Sequence, residues 1–263
     1  MRDAAGASGG PNRSLTIGEH TGMHRIHWQG AWPDVGQTLA IDGDEASHAL
    51  RAKRLRAGER VEVFDGAGQV AACEVQDSES GRRTGTLALR VLGLARHEPA
   101  RPRVEVFAAT PKGGRVDEMV EGLSEAGAAS WTPLVTARTV VEPRAAKLDR
   151  LRRIAVESAK QCGRAWVLEI GRECGLAGAF AEARGAAIVL ADGSAPPYRP
   201  GSGADTVRLL IGPEGGWTDD ERRDALRAGA VAASFGPHAM RIETAAVVGA
   251  AVVLDRHRGG ARG

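Results

Sequence analysis

Cysteine is scarce in this chain. Cys73, Cys162 and Cys174 form no C-x-x-C pair and leave an odd count, which argues against a disulfide framework and against a zinc ribbon. A reducing cytosol fits that usage. The seven histidines are scattered, with no H-E-x-x-H or comparable ligand cluster, so nothing visible requires a metal. Long apolar runs are missing too. The longest, Ala245 to Leu254, has ten residues, against the roughly 20 that span a bilayer, and is expected as a core helix. No G-x-x-x-x-G-K-[ST] pattern occurs, which leaves phosphate-cradling nucleotide hydrolysis unsupported. Charge of either sign is nearly balanced. A formal net charge of +2 is too mild to demonstrate a nucleic-acid partner, so any such argument rests on where the charges lie.

The 263 residues allow two ordinary domains with ample apolar content for packed cores. Residues 1 to 22 are rich in Gly, Ala and Ser, lack an apolar signal core and precede Met23, and read as a disordered extension. From 23 to 96 the chain shows short alternating segments, Arg60 to Phe64, Val70 to Val75 and Thr86 to Leu92, as in a small β-barrel. Residues 97 to 103, charged and carrying Pro99 and Pro102, read as a linker. Beyond it strands alternate with helices: Val104 to Ala109, a helix with Val116, Met119, Val120 and Leu123 on one face, then Trp131 to Val135. The amphipathic stretch Arg144 to Gln161 follows, then Trp166 to Ile170 and Ala187 to Ala191. That order predicts an α/β fold with parallel strands over 104 to 257, and residues 258 to 263 read as a tail.

The chemistry concentrates near the end. Val207 to Ile211 is a short apolar run broken by Gly212, Pro213, Glu214, Gly215 and Gly216, a strand entering a stiff turn. Gly215 and Gly216 permit positive φ and close approach of backbone groups to a planar ligand, while Pro213 rigidifies the turn. Thr218 and Glu221 have capping-box spacing. A second strand, Val231 to Phe235, ends at Gly236-Pro237, and Arg241, Glu243 and Thr244 precede the apolar helix. Two strand-loop-helix units thus present backbone loops to one ligand. Gly66 to Ala71 formally fits G-x-G-x-x-A. Asp65-Gly66 is a hairpin signal, however, and an alternating strand follows where a dinucleotide loop needs a helix.

These residues resemble the RsmE family of ribosomal RNA methyltransferases, in the SPOUT superfamily. Its I-G-P-E-G-G block stands at Ile211 to Gly216, and its L-G-x-R-I-L-R-T-E-T-A block is approached by Phe235 to Ala245. Gln161-Cys162-Gly163-Arg164 matches the family's Q-C-G-R, and Glu125-Ala126-Gly127 is similar to its E-L-G. In the first domain His48, Arg54, Gly58, Phe64, Asp65 and Gly66 match further family positions, and the resemblance spans about residues 24 to 255. It implies a PUA-like first domain, a SPOUT-type α/β knot with a C-terminal trefoil, and a homodimer, while the cytoplasmic location is expected from the cysteine usage. It implies transfer of a methyl group from S-adenosylmethionine to N3 of a uridine in 16S rRNA of the small ribosomal subunit.

The same resemblance suggests site residues. Cofactor contacts are expected from Leu190, Ala191, Gly212, Pro213, Glu214, Gly215, Gly216, Phe235, Gly236, Ala239, Met240 and Thr244. Arg241 and Arg25 are expected to stabilise negative charge on uracil, with Glu214, His238 and Glu243 as candidate bases. Arg25, Arg51, Lys53, Arg54, Arg56, Arg164 and His238 are the expected RNA contacts. The chain departs from the family at Lys160 for Glu, Gly122 for Lys, His238 for Arg and Ile242 for Thr. The last removes a hydroxyl that could serve cofactor or substrate. Two alternatives stay open: a ribose 2′-O-methylating SPOUT enzyme, against which the absence of S-L-N around Met240 to Ala246 speaks, and an RNA-binding homologue without turnover.

Overall fold

Alternating burial organises the first of two units into which the chain divides in its computed structural model, which describes residues 23–77, 85–141, 145–181, 183, 185–201 and 203–259. The expected extension at 1 to 22, the helix start at Arg144 and the tail beyond 259 lie outside the described residues. The first unit holds the residues described up to Ile26, Gly30–Val63, and the described residues of 69 to 96. His27–Gln29 and Phe64–Gly68 group with the second unit, as do the described residues from His97 onward. The division is therefore interleaved rather than one cut in the chain.

A five-stranded sheet runs through β1 (His24–His27), β2 (Thr38–Ile41), β3 (Arg60–Phe64), β4 (Gln69–Val75) and β5 (Leu87–Arg96), in the order β1-β3-β4-β5-β2. Ala71, Cys73 and Val75 on β4 and Leu87, Leu89 and Val91 on β5 are buried, the period-2 pattern of a half-covered sheet. Between β3 and β4 the Asp65 carboxylate accepts from the amide of Ala67 at 2.7 Å. Gly66 and Gly68 take φ of +75° and +100°, so the formal G-x-G-x-x-A stretch is a turn between strands and opens no helix. A short helix, α1 (Gly43–Ser47), continues into a π-helical turn at His48–Ala52.

In the second unit every strand pairing is parallel: β6 (Arg103–Ala108), β7 (Ser130–Val135), β8 (Glu169–Ile170), β9 (Cys174–Gly175), β10 (Ala186–Ala191), β11 (Thr206–Ile211) and β12 (Val231–Ala233). The order is β12-β10-β11-β6-β7-β8, with β9 also on β7. Both faces are covered. On one side Val104, Val106, Leu209 and Ile211 share a core with residues of α2 (Arg115–Ala126), α3 (Ala145–Cys162) and α6 (Ile242–Gly259). On the other, Phe107, Leu190 and Leu210 pack with residues of α4 (Leu176–Phe180) and α5 (Asp219–Arg227). Burial on both faces explains why these strands read as apolar runs without alternation.

Three local differences from the sequence reading have physical causes. The expected strand at Trp166 to Ile170 shrinks to Glu169–Ile170 because the Val167 amide instead donates to the Gly66 carbonyl at 3.0 Å, and only from Glu169 does the backbone pair with the sheet. The expected strand to Phe235 stops at Ala233, since Ser234 donates to Pro196 and accepts from Tyr198. The last helix begins at Ile242, not Ala245, for the Ala245 amide already bonds the Arg241 carbonyl at 2.8 Å.

Candidate functional site

Parallel pairing brings the ends of β10, β11 and β12 together: Leu190 lies beside Leu210 and Ala191 beside Ala233. The loops leaving those strands therefore face one another, the position at which open parallel sheets bind ligands. They enclose a pocket of about 300 Å³, at the lower end of the roughly 300–1,000 Å³ typical of small-molecule sites.

Of the residues expected at a cofactor, Ala191, Gly212, Pro213, Gly216, Phe235, Gly236, Ala239 and Met240 line this pocket, and so does His238. Leu190 does not, because its side chain points into the core beside α4 and α5. Glu214 and Thr244 are solvent-exposed and outside the lining. Gly215 is outside it as well. A Cβ there would stand 3.1 Å from Cδ of Arg138, whose stem lies along the outer side of the loop. Positive φ in this turn belongs to Gly216 alone, at +69°.

The lining also contains residues outside the expected cofactor contacts: Ile211 and Ala245, which belong to the two motif blocks, and Asp192, Gly193, Trp217, Arg222 and Ser234, which belong to neither. Trp217, directly after the glycine turn, donates its indole N–H to the Ala191 carbonyl at 2.9 Å and lays its ring on Gly212. It joins the β10 loop to the β11 loop. Thr218 and Glu221 form the expected capping box at the start of α5, and Glu221 also accepts from the Ala137 amide at 2.7 Å. Behind Phe235, Tyr198 stacks at 5.4 Å between ring centroids and shares a 3.0 Å hydrogen bond with His257 near the end of α6. Burial lowers the His257 pKa and raises that of Tyr198.

The expected charged residues separate. Arg241 is exposed between Met240 of the pocket lining and the first turn of α6. Glu243 is 12% exposed and pairs with Arg115 at 3.5 Å, not with Arg241. Arg25 lies in the first unit, buried with its Nε 2.5 Å from a Glu62 carboxylate oxygen. That partner neutralises the cation which the sequence reading offered to uracil and to RNA. Arg164 is likewise committed inward, donating to the carbonyls of Ser124 and Ala128 at 2.6 and 2.9 Å. Those carbonyls lie at the C-terminal end of α2, where a helix leaves acceptors unsatisfied and favours a cation. Its burial lowers its pKa. Arg51, Lys53, Arg54 and Arg56 are exposed in the first unit, and the three arginines line a shallow cavity with Leu50.

Two departures from the family blocks acquire structural reasons. Ile242 is 4% exposed and belongs to the core beneath α6, so a hydroxyl there would face apolar groups rather than the pocket. Gly122 on α2 lies against α6, where an added Cβ would stand 2.8 Å from Cγ2 of Val247. Among the described residues no group of three or more His, Cys, Asp or Glu could hold a metal ion, and no helix is long and apolar enough to cross a membrane.

Comparison with known proteins bears on this arrangement directly. Residues 98–254 match the RNA methyltransferase domain family, and residues 41–82 match the RNA methyltransferase PUA domain. Ribosomal RNA small subunit methyltransferase E of Mycobacterium tuberculosis is 34% identical over 228 residues, covering 82% of this chain and 86% of that protein. The Synechocystis protein of the same name is 29% identical, covering 83% and 73%. Among solved structures, ribosomal RNA small subunit methyltransferase E of Neisseria gonorrhoeae bound to S-adenosyl methionine aligns with a TM-score of 0.77 at 25% identity, over 89% of this chain and 97% of that one. A Legionella pneumophila methyltransferase with bound cofactor SAM aligns with a TM-score of 0.76 at 25% identity, over 89% and 98%. Sequence, fold and pocket agree, and the chain belongs to the RsmE family of ribosomal RNA small subunit methyltransferases.

Proposed function

We propose that this protein transfers the methyl group of S-adenosylmethionine to N3 of a uridine in 16S rRNA of the small ribosomal subunit. The observation that carries the reading is the pocket at the ends of β10, β11 and β12, walled by the two glycine-bearing loops. It suits an adenosine: backbone edges at Gly212, Gly216 and Gly236 can meet polar ring atoms, while Ile211, Phe235 and Met240 supply apolar walls.

The cofactor supplies an electrophilic methyl on a sulfonium. The protein must present the uracil nitrogen in line with that methyl and favour its anion. Uracil N3–H lies roughly two units above neutral, so ionising it costs about 3 kcal/mol at about 1.4 kcal/mol per unit. Arg241, exposed and directly following Met240 of the lining, would bear on the uracil carbonyl oxygens, where the charge of the anion collects. Proximity and alignment with the methyl carry the rest. Glu243, held by Arg115, is better suited to fixing the start of α6 than to accepting a proton. Exposed Arg51, Lys53, Arg54 and Arg56 would meet RNA phosphates. The finer architecture proposed with this activity is a trefoil knot in the second unit, a homodimer and a cytoplasmic location, all supported by membership of the family.

The test incubates the protein and labelled S-adenosylmethionine with small subunits lacking base methylation, and maps the modified nucleoside by mass spectrometry. One 3-methyluridine is expected. A 2′-O-methylated nucleoside would transfer the assignment to ribose, and no transfer despite cofactor binding would leave an RNA-binding protein without turnover.

A further inference from the structure

The pocket lining is apolar or uncharged apart from His238 and one pair of opposite charges, Asp192 and Arg222. Asp192 follows the last residue of β10, and its amide donates to the Ala233 carbonyl at 2.9 Å. One carboxylate oxygen is fixed by Ser194, which donates from its amide at 2.9 Å and from its hydroxyl at 2.8 Å. The other forms an ion pair with Arg222 of α5. The Asp192 side chain is 9% exposed and that of Arg222 40%, so an oriented, largely buried anion stands beside a cation open to solvent.

We infer that this pair is a receptor for an α-amino acid zwitterion, the methionine end of the cofactor, with Asp192 taking the ammonium and Arg222 the carboxylate. The inference rests on the cofactor reading of the pocket. Its physical basis is charge alternation. Within the protein itself each member neutralises the other, which lowers the penalty for a buried carboxylate. When a zwitterion enters, its ammonium and carboxylate alternate with the two side chains, so every charge keeps an opposite neighbour. The planar guanidinium matches a carboxylate through two parallel N–H donors. A ligand made of adenosine alone would leave the internal pair as it is.

Three ligands separate the possibilities by calorimetric binding: S-adenosylmethionine, S-adenosylhomocysteine, which keeps the amino acid without the sulfonium charge, and 5′-methylthioadenosine, which lacks the amino acid. The wild-type protein is titrated first. Failure to bind S-adenosylmethionine would overturn the cofactor reading, and this inference with it. Given binding, Asp192→Asn and Arg222→Gln are expected to weaken the first two ligands alike by about ten- to a hundredfold and to change methylthioadenosine by less than about twofold. Arg222→Lys, which keeps the charge but loses the fork, should recover part of the loss. Equal weakening of all three ligands would make the pair a structural pin between β10 and α5. Weakening confined to S-adenosylmethionine would assign Asp192 to the sulfonium. Either result overturns the inference.

Discussion

Arg138 clasps Gly215 from outside the pocket, its guanidinium donating to the Gly215 carbonyl at 2.6 Å while its stem fills the space where a Cβ would be. A second contact reaches the Trp217 carbonyl at 3.4 Å. The glycine turn is thereby held by the loop after β7, although neither Arg138 nor Gly215 lines the pocket. Arg138→Ala is expected to weaken S-adenosylmethionine binding roughly three- to tenfold, the worth of one or two such bonds. Its melting midpoint should shift by no more than about 3 °C. Calorimetry beside a thermal melt checks this, and unaltered affinity would mean that the turn holds its shape unaided.

Ile242→Thr restores the family residue yet places a hydroxyl in the core beneath α6. We expect a loss of about 1–2 kcal/mol in urea unfolding and no gain in methyl transfer. A rise in turnover at unchanged stability would return this position to the active site.

Gly122→Leu should separate α2 from α6 because the side chain must displace Val247. The expected cost is about 1–3 kcal/mol, with partial recovery on adding Val247→Ala. Additive losses in the double variant would show that the two positions do not compete for space.

Arg164 and the first-unit arginines make opposite predictions. Arg164→Met removes two bonds to helix-end carbonyls and should cost about 1–3 kcal/mol of stability without altering RNA affinity. Arg54→Ala should spare stability and lower the salt dependence of RNA binding by about one phosphate contact. Titrations of RNA binding across a salt series distinguish them, and a shallower slope for Arg164→Met would restore it to the RNA surface.

Burial pushes the Cys73 thiol up to about 12 from an ordinary value of 9.0. The folded state binds this proton more tightly, so the contribution is fully present below about pH 9 and fades as pH rises toward 12. A thiol reagent at pH 8 should modify exposed Cys162 rapidly and reach Cys73 only on unfolding. Rapid labelling of Cys73 in the folded protein would refute its enclosure.

Sequence and structure met most closely where local chemistry decides the outcome. β3 was legible to the residue because its alternation ends at a hairpin signal, and the capping box of α5 because its two members are three residues apart. The loops after β11 and β12 were legible because glycine and proline mark them. Asp192 and Arg222 were not, since an aspartate after a strand and an arginine on a helix are ordinary in sequence and become a pair only through tertiary packing. The signal at hand was Trp217, a large side chain directly following a glycine turn. Arg164 and Arg25 show the converse: positive charge suggests phosphate, and only packing shows that a carbonyl pair or a glutamate already holds it.

The contact of Tyr198 with both Phe235 and His257 makes the end of α6 a mechanical backstop for the pocket. A chain shortened after Leu254 would retain every residue that lines the cavity and still lose the anchor that holds its aromatic wall. In such a shortened chain Phe235 would be freer to swing, and ligand dissociation would quicken before any lining residue had changed.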